Sequence, residues 1–215
     1  MLKLCSRLLA AQPTGYIEAL YDCLAPFYFV LHPFVRAVAV RAAALLEDGD
    51  NRRALDLCTG TGVLAEELRK RQYAVTGIDI SMPMLSQRRK GRQASGVVNL
   101  RMDARRLGFA DKSFDLCAIS MGLHEFSAAD RRQILGEMAR VSRRHILVAD
   151  YSGPQSWTIH LAEWLEASHF RDFIHRPLAE LLAEAGLRVL KQGRWLSIGL
   201  CLCETPANSQ AAQSG

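Results

Sequence analysis

The run Asp56-Leu-Cys-Thr-Gly-Thr-Gly62, entered through the apolar pair Ala54-Leu55 and followed by Val63-Leu-Ala-Glu-Glu-Leu68, constrains the fold more than any other part of the chain. It reads as a strand end, a glycine turn and a helix start, the arrangement that holds a nucleotide-like ligand against an open α/β sheet. Gly60 and Gly62 let the backbone approach a ligand with no Cβ in the way, and a helix beginning beside them offers N–H groups without intrahelical partners. Strand-like and helix-like segments alternate from there, over residues 54–57, 63–69, 74–78, 83–92, 97–102, 114–119, 128–141 and 146–149. This βαβα order predicts a doubly wound, mainly parallel sheet with its ligand over the carboxyl ends of the strands. Helices are expected at 156–168 and 178–185, and strands at 187–191 and 195–203, joined through Gly193-Arg194, close a seven-stranded α/β sheet with an antiparallel last strand.

The glycine turn alone leaves two ligand classes open. Gly60-x-Gly62-x-x-Ala65 also satisfies the dinucleotide fingerprint, and Asp79 falls near the distance expected of its ribose-binding acid. Charge separates them. A pyrophosphate on this loop would face the carboxylate of Asp56 unfavourably, whereas S-adenosylmethionine carries an ammonium and a sulfonium that acids attract. Asp103, closing the strand-like Val97-Val-Asn-Leu-Arg-Met102, is a third acid at a third strand end, placed to accept a hydrogen bond from an adenine amino group. Its alternative role is a helix N-cap.

At 215 residues, 49% hydrophobic, the chain is long enough for one substantial core. Residues 1–204 read as a single domain, with 1–50 an N-terminal helical lid broken at Pro26 and Pro33, 51–204 the cofactor core and cap, and 205–215 a disordered polar tail. The six cysteines show no zinc-ligand spacing, so reduced thiols in a cytoplasmic protein, with no metal, are expected. The net charge of +5 rests largely on arginine pairs (Arg52-Arg53, Arg88-Arg89, Arg105-Arg106, Arg131-Arg132, Arg143-Arg144) without interleaved aromatics. They read as a solvated surface, and nucleic acid is not an expected partner. No apolar run is long enough to span a membrane.

Several ordered motifs together carry a resemblance: Asp56 to Gly62, Val75-Thr-Gly-Ile-Asp79-Ile-Ser81 with Met84-Leu85, Asp103-Ala104, Phe114-Asp115 and the strand ending at Ser120. Over roughly residues 52–151 the chain resembles the class I S-adenosylmethionine-dependent methyltransferases. Within them it is similar to the ubiquinone/menaquinone-biosynthesis C-methyltransferases at Ile119-Ser-Met-Gly-Leu123, at Asp150-Tyr-Ser-Gly-Pro154 and at Trp164-Leu-Glu-Ala-Ser168. It departs from that family in three places. His124-Glu125 stands where the family has Arg-Asn, the segment between Pro154 and Trp164 is shorter, and Tyr28-Phe29 follows Ala-Pro where Tyr-Asp is expected, with a Tyr21-Asp22 pair upstream. The resemblance implies that Asp56 with the backbone at Cys58, Gly60 and Gly62 holds the methionine end of the cofactor. It implies further that Asp79 takes the ribose hydroxyls, Ile80 packs on the adenine, Asp103 and Ala104 address the adenine edge, and Ser120 lines the sulfonium region. The product is S-adenosylhomocysteine.

Methyl transfer needs orientation, water exclusion and, for a phenol, an enol-like carbon or an amine, a base. His124, just past the fourth strand, is the candidate imidazole, its ordinary pKa of about 6.5 suiting neutral pH; its other reading is a loop orienter working with Glu125. Tyr151, beside Asp150, is a second candidate for shaping or deprotonating the acceptor, and Asp150 is equally a loop cap. The uncharged run 24–35, with four aromatics, reads either as a lid packed on the sheet or as a contact for something apolar, including a membrane surface. The expected partner is therefore a small or lipid-like acceptor, with quinone-like C- or O-methylation preferred. Phospholipid N-methylation and a non-catalytic cofactor-binding regulator are the alternatives.

Overall fold

The computed structural model describes residues 21–22, 30–90 (backbone only at 87–90), 96–152, 173 and 176–205. Strands β1 (Arg53–Leu57), β2 (Ala74–Asp79), β3 (Val97–Arg101), β4 (Phe114–Ser120), β5 (Ser142–Tyr151), β6 (Arg188–Trp195) and β7 (Ile198–Glu204) form one sheet in the order β3-β2-β1-β4-β5-β7-β6. The pairings β1–β2, β1–β4, β2–β3 and β4–β5 are parallel, and β7 runs antiparallel between β5 and β6. The chain order reverses direction between β1 and β4, so their carboxyl ends diverge there and open a crevice.

Both faces of the central strands are apolar, as a sheet covered on both sides requires. In β4, Cys117 and Ile119 turn to one face while Leu116 and Ala118 turn to the other; in β5, Ile146 and Val148 oppose Leu147 and Ala149 in the same way. Helices α1 (His32–Ala43) and α2 (Val63–Lys70) cover the second face, burying Val38, Ala39 and Ala42 and Val63, Leu64 and Leu68. Helix α3 (Met82–Lys90) follows β2. The first face is covered by α4 (Ala128–Val141) through Ile134, Leu135 and Met138, and by α5 (Leu178–Glu184) through Leu178 and Leu182. Helix α4 starts on a reciprocal cap: Ser127 Oγ accepts the Asp130 N–H at 3.1 Å and donates to the Asp130 carboxylate at 2.8 Å.

No helix joins β3 to β4. The connecting loop is tied instead to α4, where Arg140 donates to the carbonyls of Leu107 and Phe109 and Glu137 accepts the Leu107 N–H. These ties fix the loop that begins at Asp103.

Two sequence expectations change. The hairpin between β6 and β7 turns at Leu196-Ser197, not at Gly193-Arg194; Gly193 lies within β6 opposite Leu200. The later turn keeps the alternate apolar residues of β7 on their two core faces, and Leu196 takes the positive φ of 53° that the tight reversal needs. Thr205, assigned to the tail, is fully buried and its N–H donates to the Arg144 carbonyl. In the described part of the N-terminal region, α1 packs on the sheet beside α2. The break expected at Pro33 falls where α1 starts, with the proline in the helix's first turn, where a missing N–H leaves no bond unmade. The expected helix at 156–168, the break at Pro26 and the tail beyond 205 lie outside the described residues.

Pro33→Ala tests that placement. Thermal unfolding should show no gain, and at most about 1 kcal/mol of loss from the freer unfolded chain. A gain approaching ~3 kcal/mol would mark Pro33 as a residue the helix tolerates at a cost.

Candidate active site

Over the crevice between β1 and β4 lies a cleft of about 940 Å³, counted out to its open mouth. Its floor is the turn after β1. Gly60 and Gly62 take φ of +54° and +80°, and Cys58, which has a Cβ, is also held at +51°. A non-glycine residue there is strained, as residues lining binding sites more often are than others. A Cβ on Gly122 would come within 3.0 Å of the Cys58 Cβ, so the loop after β4 closes down on this turn only because residue 122 has none.

Of the predicted cofactor residues, Asp56, Cys58, Gly60, Asp79, Ile80, Asp103, Ala104 and Ser120 line the cleft; Gly62 caps α2 directly behind it. Asp56 is buried and accepts the Thr59 hydroxyl at 2.6 Å. Asp79 accepts the Gly60 N–H at 2.8 Å through one oxygen and the Ser81 N–H at 2.9 Å through the other, which leaves lone pairs on both for a ligand. Burial raises its pKa, against these bonds. Asp103 is held by Arg105, whose guanidinium reaches both carboxylate oxygens and whose N–H donates to one of them; a second contact ties Arg105 to Asp130. Burial works against ionisation of Asp103, but Arg105 prevails and holds its carboxyl below the usual range. The N-cap alternative for Asp103 thus becomes a turn cap that also clamps an arginine. Arg105 and Arg131, read as solvated, are both largely enclosed; Arg131 lies 4.9 Å over the Phe173 ring.

The field in the cleft is negative. The Cys58 thiol is raised well above its ordinary pKa by burial and then by Asp79, Asp56, Asp103 and Asp150 around it. Two buried hydroxyls on the lining, Thr61 Oγ1 and Ser120 Oγ, have no hydrogen-bond partner among the described residues. Buried polar atoms are rarely left so. Acidic groups, orphan hydroxyls and a glycine floor fit a polar cationic nucleotide far better than a pyrophosphate.

The acceptor end differs from expectation. His124 and Tyr151 do not line the cleft. His124 is buried beneath it, with Nδ1 2.7 Å from Asp150 and Nε2 3.1 Å from Glu125, and Tyr151 stands edge-on against its ring at 5.0 Å between centroids. Burial alone would lower the His124 pKa, but the two carboxylates outweigh it and push it up to about 10. At neutral pH the ring is a cation with both nitrogens engaged, so the expected neutral base is replaced by a fixed positive charge. Asp150 is the loop cap of the two roles considered for it, accepting the N–H groups of Gly122 and Leu123 at 3.1 and 2.8 Å.

Glu125, Tyr21, Thr59, Thr61 and Phe126 reach the lining without having been singled out for it. Tyr21 donates to Glu125 at 2.9 Å, and Ser81 donates to the Asp22 carboxylate at 2.6 Å, so the Tyr21-Asp22 pair bridges the two rims. The sequence signal was the pair itself, displaced upstream of the place where the family carries it.

With this geometry in view, residues 54–145 match a family described as a methyltransferase domain. They form a class I S-adenosylmethionine-dependent methyltransferase domain. Demethylmenaquinone methyltransferase of Thermus thermophilus is 41% identical over 105 residues, 47% of each chain. The ubiquinone/menaquinone biosynthesis C-methyltransferase UbiE of Geotalea daltonii is 31% identical over 153 residues, 65% of this chain and 64% of its own. Across eight such relatives the chain spans between 44% and 64% of their length. Among solved structures, the methyltransferase fold recurs in a complex of the Haloferax volcanii Trm112 activator with a methyltransferase (TM-score 0.73, 20% identity, 86% of this chain and 97% of that one). It recurs also in the magnesium protoporphyrin IX methyltransferase of Synechocystis with bound S-adenosylhomocysteine (TM-score 0.63, 17% identity, 80% of this chain and 82% of that one). At these identities the likeness is one of fold. No described helix of the methyltransferase domain or its flanks is long and apolar enough to cross a membrane.

The raised pKa of His124 has a sign that can be checked. Stability contributed by its ion pairs is complete below the unfolded value of about 6.5 and is lost as pH rises towards about 10. Nitrogen-15 spectra of the histidine rings should show one doubly protonated ring persisting two pH units above the other histidines. A neutral His124 ring at about pH 7.5 would contradict the assignment.

Proposed function

We propose that the chain is a methyltransferase that uses S-adenosylmethionine to methylate a small, apolar or lipid-like acceptor, with quinone-like C- or O-methylation as the preferred chemistry. The observation that carries this is a row of acids along the carboxyl edge of the sheet. In strand order, Asp103 follows β3, Asp79 ends β2, Asp56 lies in β1 and Glu125 follows β4. Neighbouring strands are about 4.8 Å apart, so Asp103, Asp79 and Asp56 span roughly 10 Å along the edge, room for an extended nucleoside whose amino-acid tail folds in at the β1 turn, while Glu125 bounds the space beyond it.

Along that row Asp103 and the Ala104 N–H would take the adenine edge, Ile80 its face, and Asp79 the ribose hydroxyls. Asp56, Ser120 and the Cys58–Gly60 backbone would hold the charged tail, with Thr61 Oγ1 or Ser120 Oγ gaining the partner each lacks. When bound, the cofactor supplies a methyl group made electrophilic by its sulfonium. The protein's part is to orient the acceptor, exclude water and hold charge. Phe126, Met84 and Met102 give the cleft apolar walls suited to a flat hydrophobic molecule, methionine being the adaptable filler. The His124 imidazolium, pinned by Asp150, keeps the carboxylate of Glu125 ionised: burial opposes that charge, but His124 and the Tyr21 hydroxyl prevail and lower its pKa. The relatives named for menaquinone and ubiquinone biosynthesis support the acceptor class.

Parallel calorimetric titrations with S-adenosylmethionine, S-adenosylhomocysteine and NADH test the cofactor. Micromolar binding of the two sulfur nucleotides and none of NADH is expected; binding of NADH alone would overturn the reading. Because Asp79 also ties Gly60 and Ser81, Asp79→Asn is a cleaner variant than Asp79→Ala. It should lose between about tenfold and a hundredfold in cofactor affinity while remaining folded, as expected for a weakened charge-assisted bond.

A further inference from the structure

Glu125 is buried, yet it lines the cleft. Both of its hydrogen bonds, from Tyr21 at 2.9 Å and from His124 Nε2 at 3.1 Å, land on Oε1. None among the described residues reaches Oε2. A buried carboxylate held by one oxygen, with the other facing a cavity, is an incomplete site, because an ionised carboxylate accommodates about four donors. Its charge is not accidental either. Asp150, fully buried, fixes the backbone N–H groups of Gly122 and Leu123 and the Nδ1 of His124, so the ring presents Nε2 to Glu125 and cannot turn away.

The position narrows what Oε2 meets. Glu125 stands at the β4 end of the row of acids, the end opposite Asp103, with Ser120 and Asp56 between them. Phe126 and Tyr21 flank it and present aromatic surface. A group that satisfies Oε2 there is a hydrogen-bond donor carried by a flat apolar body.

We propose that Glu125 is the residue that selects the acceptor, its Oε2 accepting a hydrogen bond from a hydroxyl on an aromatic ring, with His124 and Asp150 as positioning residues behind it. This rests on the methyltransferase reading above and adds the acceptor's chemistry to it. An acceptor whose hydroxyl is already capped leaves Oε2 unsatisfied and is rejected, because a buried polar group without its partner is costly.

The test is equilibrium binding to the full chain saturated with S-adenosylhomocysteine, using 2-naphthol and 2-methoxynaphthalene as probes that differ in the donor and one methyl group, the Glu125→Gln comparison separating the two; 2-naphthylamine serves as a third arm. Wild type should bind 2-naphthol at least about tenfold more tightly than its methyl ether, the scale of one hydrogen bond to a charged group. Glu125→Gln, which can still accept from Tyr21 and His124 through its amide oxygen, should reduce that preference to about threefold or less and leave S-adenosylhomocysteine affinity within about twofold. If that variant does not fold, Glu125→Asp, which shortens the reach of the carboxylate, should reduce the preference in the same way. Equal binding of the two wild-type probes, binding of neither, or an undiminished preference in Glu125→Gln overturns the proposal. A tenfold loss of S-adenosylhomocysteine affinity in that variant also overturns it, by giving Glu125 to the cofactor. Tighter binding of 2-naphthylamine than of 2-naphthol overturns the hydroxyl in favour of an amine. Failure of wild type to bind S-adenosylhomocysteine at all strikes the methyltransferase reading instead, so the two failures are distinct.

Discussion

Asp150 is a carboxylate with no exposed surface at the carboxyl end of β5, and the β4 end of the cleft is arranged around satisfying it. It gathers the N–H groups of Gly122, Leu123 and Tyr151 and the Nδ1 of His124. Taking such a charge out of water is costly unless it is fully paired, and removing one partner of a buried pair typically costs about 3–5 kcal/mol. The loop after β4 therefore has little freedom. It folds back over the β1 turn as far as the missing Cβ of Gly122 permits, and it carries Glu125 to the rim. From one buried acid the chain obtains a fixed imidazolium, an ionised Glu125 and a closed end to the cleft.

The cofactor half depends on backbone geometry more than on charge pairing. Parallel pairing of β2, β1 and β4 brings three strand ends to one edge, and the positive φ at Cys58, Gly60 and Gly62 lets the turn lie flat beneath them. Asp79 then stitches that turn to the end of β2 through the Gly60 N–H. The two halves meet at the Tyr21-Asp22 pair, which is bonded to Glu125 on one side and to Ser81 on the other. A ligand filling the cleft lies beneath a segment anchored to both.

What was legible in the sequence is what local chemistry dictates. Glycines at the turn and apolar runs such as Leu116-Cys-Ala-Ile119 in a doubly covered strand each tie residue types to one conformation and point to the fold, and the family resemblance of the ordered motifs points to eight residues that line the cleft. What was not legible depends on burial by distant parts of the chain. His124 looks like a free imidazole until Asp150, 26 residues on, is seen 2.7 Å away. Arg105 looks like half of a solvated pair until Asp103 and Asp130 close on it, and Gly193 looks like a turn until the core faces of β7 set the reversal three residues later. Nothing in the sequence marks Cys58 and Met121, both non-glycine, for the left-handed region.

The order of acids along the sheet edge is the central claim, and a crystal structure of the complex with S-adenosylhomocysteine tests it most directly. The adenine is expected at Asp103-Ala104, both ribose hydroxyls on Asp79 and the thioether sulfur towards Ser120, with the space beyond it bounded by Glu125. A nucleoside bound in the opposite sense, with its adenine against Glu125, or one whose ribose makes no contact with Asp79, would contradict it.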